Sequence, residues 1–501
     1  MAIGARGIAL ALLLITAGAR AQQGAPASGA EAGTGSETAA EAEAESESES
    51  ESWAESEAET EGGAETDHLP DPRGGGSSEP EDARGHARGP GTEPEDVLLA
   101  VPRALLFLPG FVLDVAFFPL REGMKLSDRY HLADRVRELL YFDDAHTIGW
   151  SPSVRVLGSQ GVSAGVTLFD NDLLDHGESL QASARYGGHY TQFYELAFEG
   201  DGIAGSRIWS ESRLRYEANP GLLFGGIGIV AADATGTDLD PRSSNRRSYF
   251  SQERALGLVR GGYAAVSREG RVKVGGSLIA NHRHFEDNDR DRSQTSAVYD
   301  VSQLSGYQGD INTLELTLNL IADYRRTTGL DSTGPYLELF WGGVPALDGH
   351  RYVHYGGEVA YTIDLFRGTR LLSLRTALEA VDGDADEIPF TDLPRLGGPH
   401  RLRGYQLDRF RDKRAALASA EYHYPIHRNI LGQLFIDGGY VSDHYGDLYA
   451  LEDWKVGYGG GIIAGGEHDI TFRLDISYGE DLLIFLSGEL PAAFDGRSSQ
   501  L

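Results

Sequence analysis

The feature that most constrains this chain is a two-residue alternation that recurs from about residue 147 to 494. In Ile470–Tyr478 every even position is apolar and every odd position polar. Leu314, Leu316, Leu318 and Leu320 alternate with Thr313, Glu315, Thr317 and Asn319, and Leu180, Ala182, Ala184 and Tyr186 with Ser179, Gln181, Ser183 and Arg185. Successive side chains of a strand point to opposite faces, so each segment carries one apolar and one polar face. A soluble sandwich alternates in the same way. These segments, however, run to roughly ten residues, the length that a tilted transmembrane strand requires. Tyr186, Tyr324, Trp341 and Tyr478 recur near segment ends, where a membrane-interface girdle of aromatic rings sits. The pattern predicts a transmembrane β-barrel with its apolar faces toward lipid and its polar faces toward the lumen.

Eleven segments precede residue 382: 147–157, 160–169, 178–187, 190–200, 207–218, 249–266, 271–285, 311–325, 335–342, 351–365 and 370–381. Five follow residue 412: 413–424, 429–440, 455–466, 468–479 and 481–490. The sum is about 16 antiparallel strands, and an even number lets a bacterial barrel close without an unpaired edge in lipid. The segment 335–342 is short and interrupted by proline, which leaves 14 as the alternative. We assign the short connections 158–159, 188–189 and 267–270 to the periplasmic rim. The long polar ones, 283–310 and 382–412, go to the extracellular rim.

The chain ahead of the barrel falls into three parts. Residues 1–21 read as a signal peptide: Arg6, an apolar run Ile8–Thr16 too short to span a bilayer, then Ala19-Arg20-Ala21 as the cleavage pattern. Residues 22–95 are an acidic low-complexity tract. Positions 31–70 alone hold 14 Asp or Glu and no Lys or Arg, so like-charge repulsion and few apolar side chains predict disorder. Residues 96–146 read as a periplasmic or interfacial helical segment, cut by Pro102, Pro109 and Pro119, with Leu132, Val136, Leu139 and Leu140 on one face. Residues 495–501 form a tail. The chain has no cysteine, which removes disulfide scaffolds and thiol chemistry. Its net charge of -32 argues against nucleic acid as a partner.

The connection 382–412 carries Leu402-Arg403-Gly404-Tyr405, followed by Arg409, Arg411 and Lys413. The next segment holds Glu421, and the one after it Phe435-Ile436-Asp437-Gly438-Gly439. By strand parity Glu421 and Asp437 both face the lumen, where two carboxylates on adjacent strands repel unless a cation lies between them. An arginine from the preceding loop suits that position, because a guanidinium can fork to two carboxylates.

In these motifs the chain resembles the bacterial surface antigen family, the outer-membrane barrel superfamily of BamA, TamA and the two-partner secretion transporters. Leu402–Tyr405 matches the family's loop-six motif, and Phe435, Asp437 and Gly439 match its strand motif. The resemblance implies that the loop folds back into the barrel and that Arg403 contacts Asp437 and Glu421. It also places this loop after the eleventh of 16 strands. Family members usually carry POTRA domains ahead of the barrel, and this chain reads as a member lacking them. The implied setting is the outer membrane, with lipids and client outer-membrane or secreted proteins as partners. The implied role is insertion, assembly or translocation. The alternative is a passive pore or structural barrel plugged by the loop. A homo-oligomer through the barrel wall stays open.

Other signals are weaker. Gly161-Val-Ser163-Ala-Gly165 fits the nucleophile-elbow pattern, but it lies within an alternating strand and not at a strand–turn–helix junction. His282 and His284, with Glu286, Asp287 and Asp289, read as an acidic extracellular loop and not a metal site. The Gly-rich run at 455–466 lacks a following helix and reads as strand, not phosphate cradle. We therefore expect no enzymatic activity, no catalytic residue, no metal and no cofactor.

Overall fold

The computed structural model describes residues 138–487, apart from 158–160, 188–190, 229–246, 269, 289–292, 308, 327–331, 366–369, 428–429 and 465–471. The expected signal peptide, the acidic tract, most of the helical segment and the tail lie outside the described residues. So does Asp289.

The first eleven strands are β1 (Ile148–Leu157), β2 (Gly161–Asp170), β3 (Ser179–Gly187), β4 (Gln192–Gly200), β5 (Ile208–Phe224), β6 (Ser248–Val266), β7 (Arg271–Asp287), β8 (Asp310–Asp323), β9 (Gly334–Leu347), β10 (His350–Asp364) and β11 (Leu371–Asp382). A two-residue ladder, β12 (Arg395–Leu396) with β13 (Phe410–Arg411), lies inside the next connection. The chain then continues through β14 (Arg414–His427), β15 (Ile430–Ser442), β16 (Lys455–Ala464), β17 (Phe472–Tyr478) and β18 (Leu482–Ser487). Leaving out β12 and β13, these strands pair antiparallel with their sequence neighbours, and β18 returns to β1. The result is a closed barrel of 16 strands, so the alternative of 14 falls. The doubtful segment 335–342 belongs to β9, which continues through Pro345 to Leu347.

Proline explains where the ladders break. It offers no N–H to a neighbour and is tolerated in sheets at bulges. Register shifts occur between Asn219 and Leu222, around Pro220, and between Pro425 and His427. A third, between His350 and Tyr352, lies opposite Pro345.

Side-chain exposure follows the alternation. Leu316, Leu318, Trp341, Ile436, Tyr458, Ile476 and Ile484 stand on the outer wall, while Thr317, Asn319, Glu358, Arg375 and Asp475 are buried inside. Because β9 extends past 342, Trp341 lies in mid-strand and not at a segment end.

Sidedness needs one correction. In an antiparallel barrel successive connections alternate between rims, whatever their length. The connections 225–247, 288–309 and 383–413 share a rim, as length suggested. Strands β1 and β3 also end at that rim, at Leu157 and Gly187, whereas β6 ends opposite at Val266, so length misassigned two of the three short connections. Apolar packing fills the barrel end at the long-loop rim. Phe224, Phe250, Phe285, Tyr299, Leu304, Tyr307, Ile311 and Phe390 form one buried cluster, with Phe390 edge-on to Phe224, Phe250 and Phe285.

Candidate functional site

The connection 383–413 between β11 and β14 is largely buried, unlike a solvated loop. Its fold begins with backbone chemistry. Leu402 adopts a φ of 69° and Gly404 one of 94°, both in the left-handed region. A Cβ on Gly404 would lie 2.6 Å from the Tyr478 carbonyl carbon, so only glycine passes here. On the facing strand, a Cβ on Gly457 would lie 1.7 Å from the Arg403 carbonyl oxygen. At Gly457, β16 thus lets the loop backbone lie directly against the inner wall.

This path delivers Arg403 to two carboxylates. Its Nε donates to Asp437 Oδ2 at 2.7 Å, its Nη2 to Asp437 Oδ1 at 2.7 Å, and its backbone N–H to Asp437 Oδ2 at 2.9 Å. Nη2 also lies 2.6 Å from Glu421 Oε1. The guanidinium stacks on Phe435, 3.6 Å from the ring centroid, adding cation–π attraction. All four residues are at most 5 % exposed. Burial works to lower the Arg403 pKa, but the Asp437 and Glu421 carboxylates outweigh it and raise it above the ordinary value. Leu402 and Tyr405 pack with Leu396, Phe410, Ala415, Leu417 and Val441, and the Tyr405 hydroxyl donates to the Val456 carbonyl at 3.2 Å. Gly439 meets this cluster, since a Cβ there would lie 2.9 Å from Leu396 Cδ1. The structure therefore brings together Leu402, Arg403, Gly404, Tyr405, Glu421, Phe435, Asp437 and Gly439.

Several contributors escaped the sequence reading. Ser419 pairs across the strands with Asp437, donates to it at 2.6 Å and accepts from Arg403 Nη2 at 3.2 Å. His423 approaches Glu421 at 3.1 Å. Arg401 pairs with Glu379, whose other oxygen contacts His354 at 2.8 Å. Arg375 joins Glu358 at 2.7 Å and donates to the His400 carbonyl at 2.8 Å. Arg411, buried and without a carboxylate contact among the described residues, donates to the Leu223 carbonyl at 3.1 Å and lies 5.1 Å from the Phe224 ring centroid. Burial pushes its guanidinium down to about 10. The parity that exposed Glu421 and Asp437 also marks Ser419, Glu379 and Glu358 as lumenal. Their pairing with particular loop arginines has no signature in sequence.

The weaker signals resolve as local structure. Gly161–Gly165 lies wholly within β2, so Ser163 occupies no strand–turn–helix elbow. His282, His284, Glu286 and Asp287 lie within β7 and not in a loop, because the strand extends to Asp287. His284 sits between Asp310 at 2.7 Å and Glu286 at 3.1 Å, and His282 meets Asn312 at 2.9 Å. Asp287 turns instead to Ser296 and Tyr307. Among the described residues, Asp443, His444 and Asp447 form one exposed trio of potential metal ligands.

Comparison with solved structures gives distant likenesses. BamA from Haemophilus ducreyi lacking POTRA domains 1–3 is 13 % identical, with a TM-score of 0.46 over 68 % of this chain and 69 % of that one. CdiB from Escherichia coli is 8 % identical, with a TM-score of 0.47 over 68 % and 62 %. CdiB from Acinetobacter baumannii is 12 % identical, with a TM-score of 0.43 over 68 % and 59 %. No curated protein matches the chain. The model of the Omp85 superfamily domain matches residues 172–466, more than half of the sequence, and this chain is an outer-membrane β-barrel of the Omp85 superfamily.

Proposed function

We propose that this barrel inserts or translocates client proteins at the outer membrane through the junction of β1 and β18. The observation that supports this reading is that the barrel closes on its own first and last strands, β1 against β18. At that junction Arg155 lies opposite Ser487 and Val156 opposite Leu486. Were that ladder to part, its two strand edges would present N–H and C=O groups that an incoming strand can satisfy by β-augmentation. In this reading Arg403, Glu421, Asp437, Phe435 and Gly439 brace the folded-in loop and perform no chemistry. Nothing in the proposal calls for a cofactor, a metal or catalysis.

The test uses the absence of native cysteine. In Val156→Cys/Leu486→Cys, oxidation ties the junction shut. Client insertion into vesicles should stop on oxidation and return on reduction. Insertion that proceeds with the junction cross-linked would overturn the reading. Steady conductance in planar bilayers, growing when 396–410 is deleted, would support the passive pore instead.

A further inference from the structure

The hairpin β17–β18 closes the barrel, and its last strand is unusual. Leu482 and Ile484 face outward, while Leu483 and Phe485 are buried on the inner side. Leu407, from the loop that carries Arg403, packs on that inner pair. A strand apolar on both faces has few polar side chains of its own to fix its position. The fixing groups lie in the turn Gly479–Asp481.

That turn is held from two directions. The Gly404 carbonyl accepts from the backbone N–H of Glu480 at 3.0 Å and of Asp481 at 3.4 Å. Arg409 forks to Glu480, Nε to Oε2 at 2.7 Å and Nη2 to Oε1 at 3.1 Å. Gln406 reaches Asp481 at 3.4 Å. From the other side Arg247, just ahead of β6, lies 3.2 Å from Glu480 and 2.8 Å from Asp481. Burial works to raise the Glu480 carboxyl, but the Arg409 hydrogen bond and charge, with Arg247 beside it, bring it below its ordinary value.

We infer that Glu480 and Asp481 form an acidic latch, gripped by Arg409 and Arg247, which sets how readily β18 leaves β1. The inference rests on the proposed opening of that junction. Arg409 and Arg247 are positioning residues. They touch the turn and act on the junction through it.

The experiment follows the oxidation rate of Val156→Cys/Leu486→Cys in the full chain, reconstituted in vesicles, with heat-modifiability as the check on barrel folding. Adding Glu480→Gln and Asp481→Asn should slow cross-linking about fivefold or more, because it removes three partly exposed ion pairs, Arg409–Glu480, Arg247–Glu480 and Arg247–Asp481. Glu480→Asp with Asp481 retained keeps both charges and should hold most of the rate, which a merely structural loss would not. If the neutralised turn prevents folding, Arg247→Gln carries the test from the latch's periphery. An unchanged rate in the folded variants overturns the latch. Client insertion, measured on the same proteins, separates the two ideas. Slowed cross-linking with insertion indifferent to the disulfide keeps the latch and sinks the functional reading. Insertion that stops on oxidation, with an unaltered rate in the latch variants, does the reverse.

Discussion

At the residue scale, two positions decide whether the loop can lie where it does. Arg403 answers two buried carboxylates, so Arg403→Ala leaves both without their cation. Breaking such a buried pair costs about 3–5 kcal/mol. We expect faster hydrogen exchange across 395–411 and a lower temperature for the heat-dependent gel shift. Arg403→Lys should recover only part of this, because an ammonium cannot fork between Asp437 and Glu421. Gly457→Ala is the complementary test. Its methyl would overlap the Arg403 carbonyl oxygen at 1.7 Å, a backbone atom that no rotamer change can clear. It should release the loop as fully as Arg403→Ala while leaving the barrel folded, and unchanged exchange at 395–411 would refute that.

At the scale of the element, the loop is a folded unit with its own ladder, and its docking should depend on pH. The His400 pKa lies well below the ordinary value because the site is shielded, with the positive charges of Arg473, Arg155, Arg375 and Arg403 adding to the effect. As pH falls through the ordinary histidine range near about 6.5, the released loop gains a proton that the docked loop refuses. Docking should therefore weaken from about pH 6.5 downward. Glu480 acts in a lower window. Its depressed carboxyl contributes above the ordinary glutamate value and loses that contribution as pH falls through its own lower one. Hydrogen exchange of 395–411, corrected for the intrinsic rate, should show the upper step in wild type and lose it in His400→Gln. A step that survives this substitution would assign it to another group.

For the whole molecule, the outer wall faces hydrocarbon and the inner wall carries paired charge. Ile436 lies in the middle of β15 on the outer wall. Ile436→Arg should destabilise the barrel by about 2–4 kcal/mol if it lies at the bilayer midplane. Denaturant titration in lipid vesicles measures this, and a neutral result would place Ile436 away from lipid. Filling of the long-loop end depends on Phe390, whose loss to Ala should cost about 3–5 kcal/mol, as for a buried aromatic ring.

Much of this was legible in the sequence, for identifiable reasons. Strand alternation is a local property of the backbone, so barrel class, strand positions and the lumenal parity of Glu421 and Asp437 could be read directly. The two motifs carried the partner of Arg403, because their strands follow the loop in order. What the sequence left undetermined are contacts between segments far apart in the chain. Arg247 and Arg409 meet at Glu480, and Arg411 reaches the Leu223 carbonyl, only because closure brings their strands together. The run of glycines in β16 marks a strand, but the contact of Gly457 with the Arg403 carbonyl has no signature in sequence. Loop length misled on sidedness, since antiparallel order fixes the rim irrespective of length. Periodicity determined the wall, and closure of that wall alone decided which charges would meet inside it.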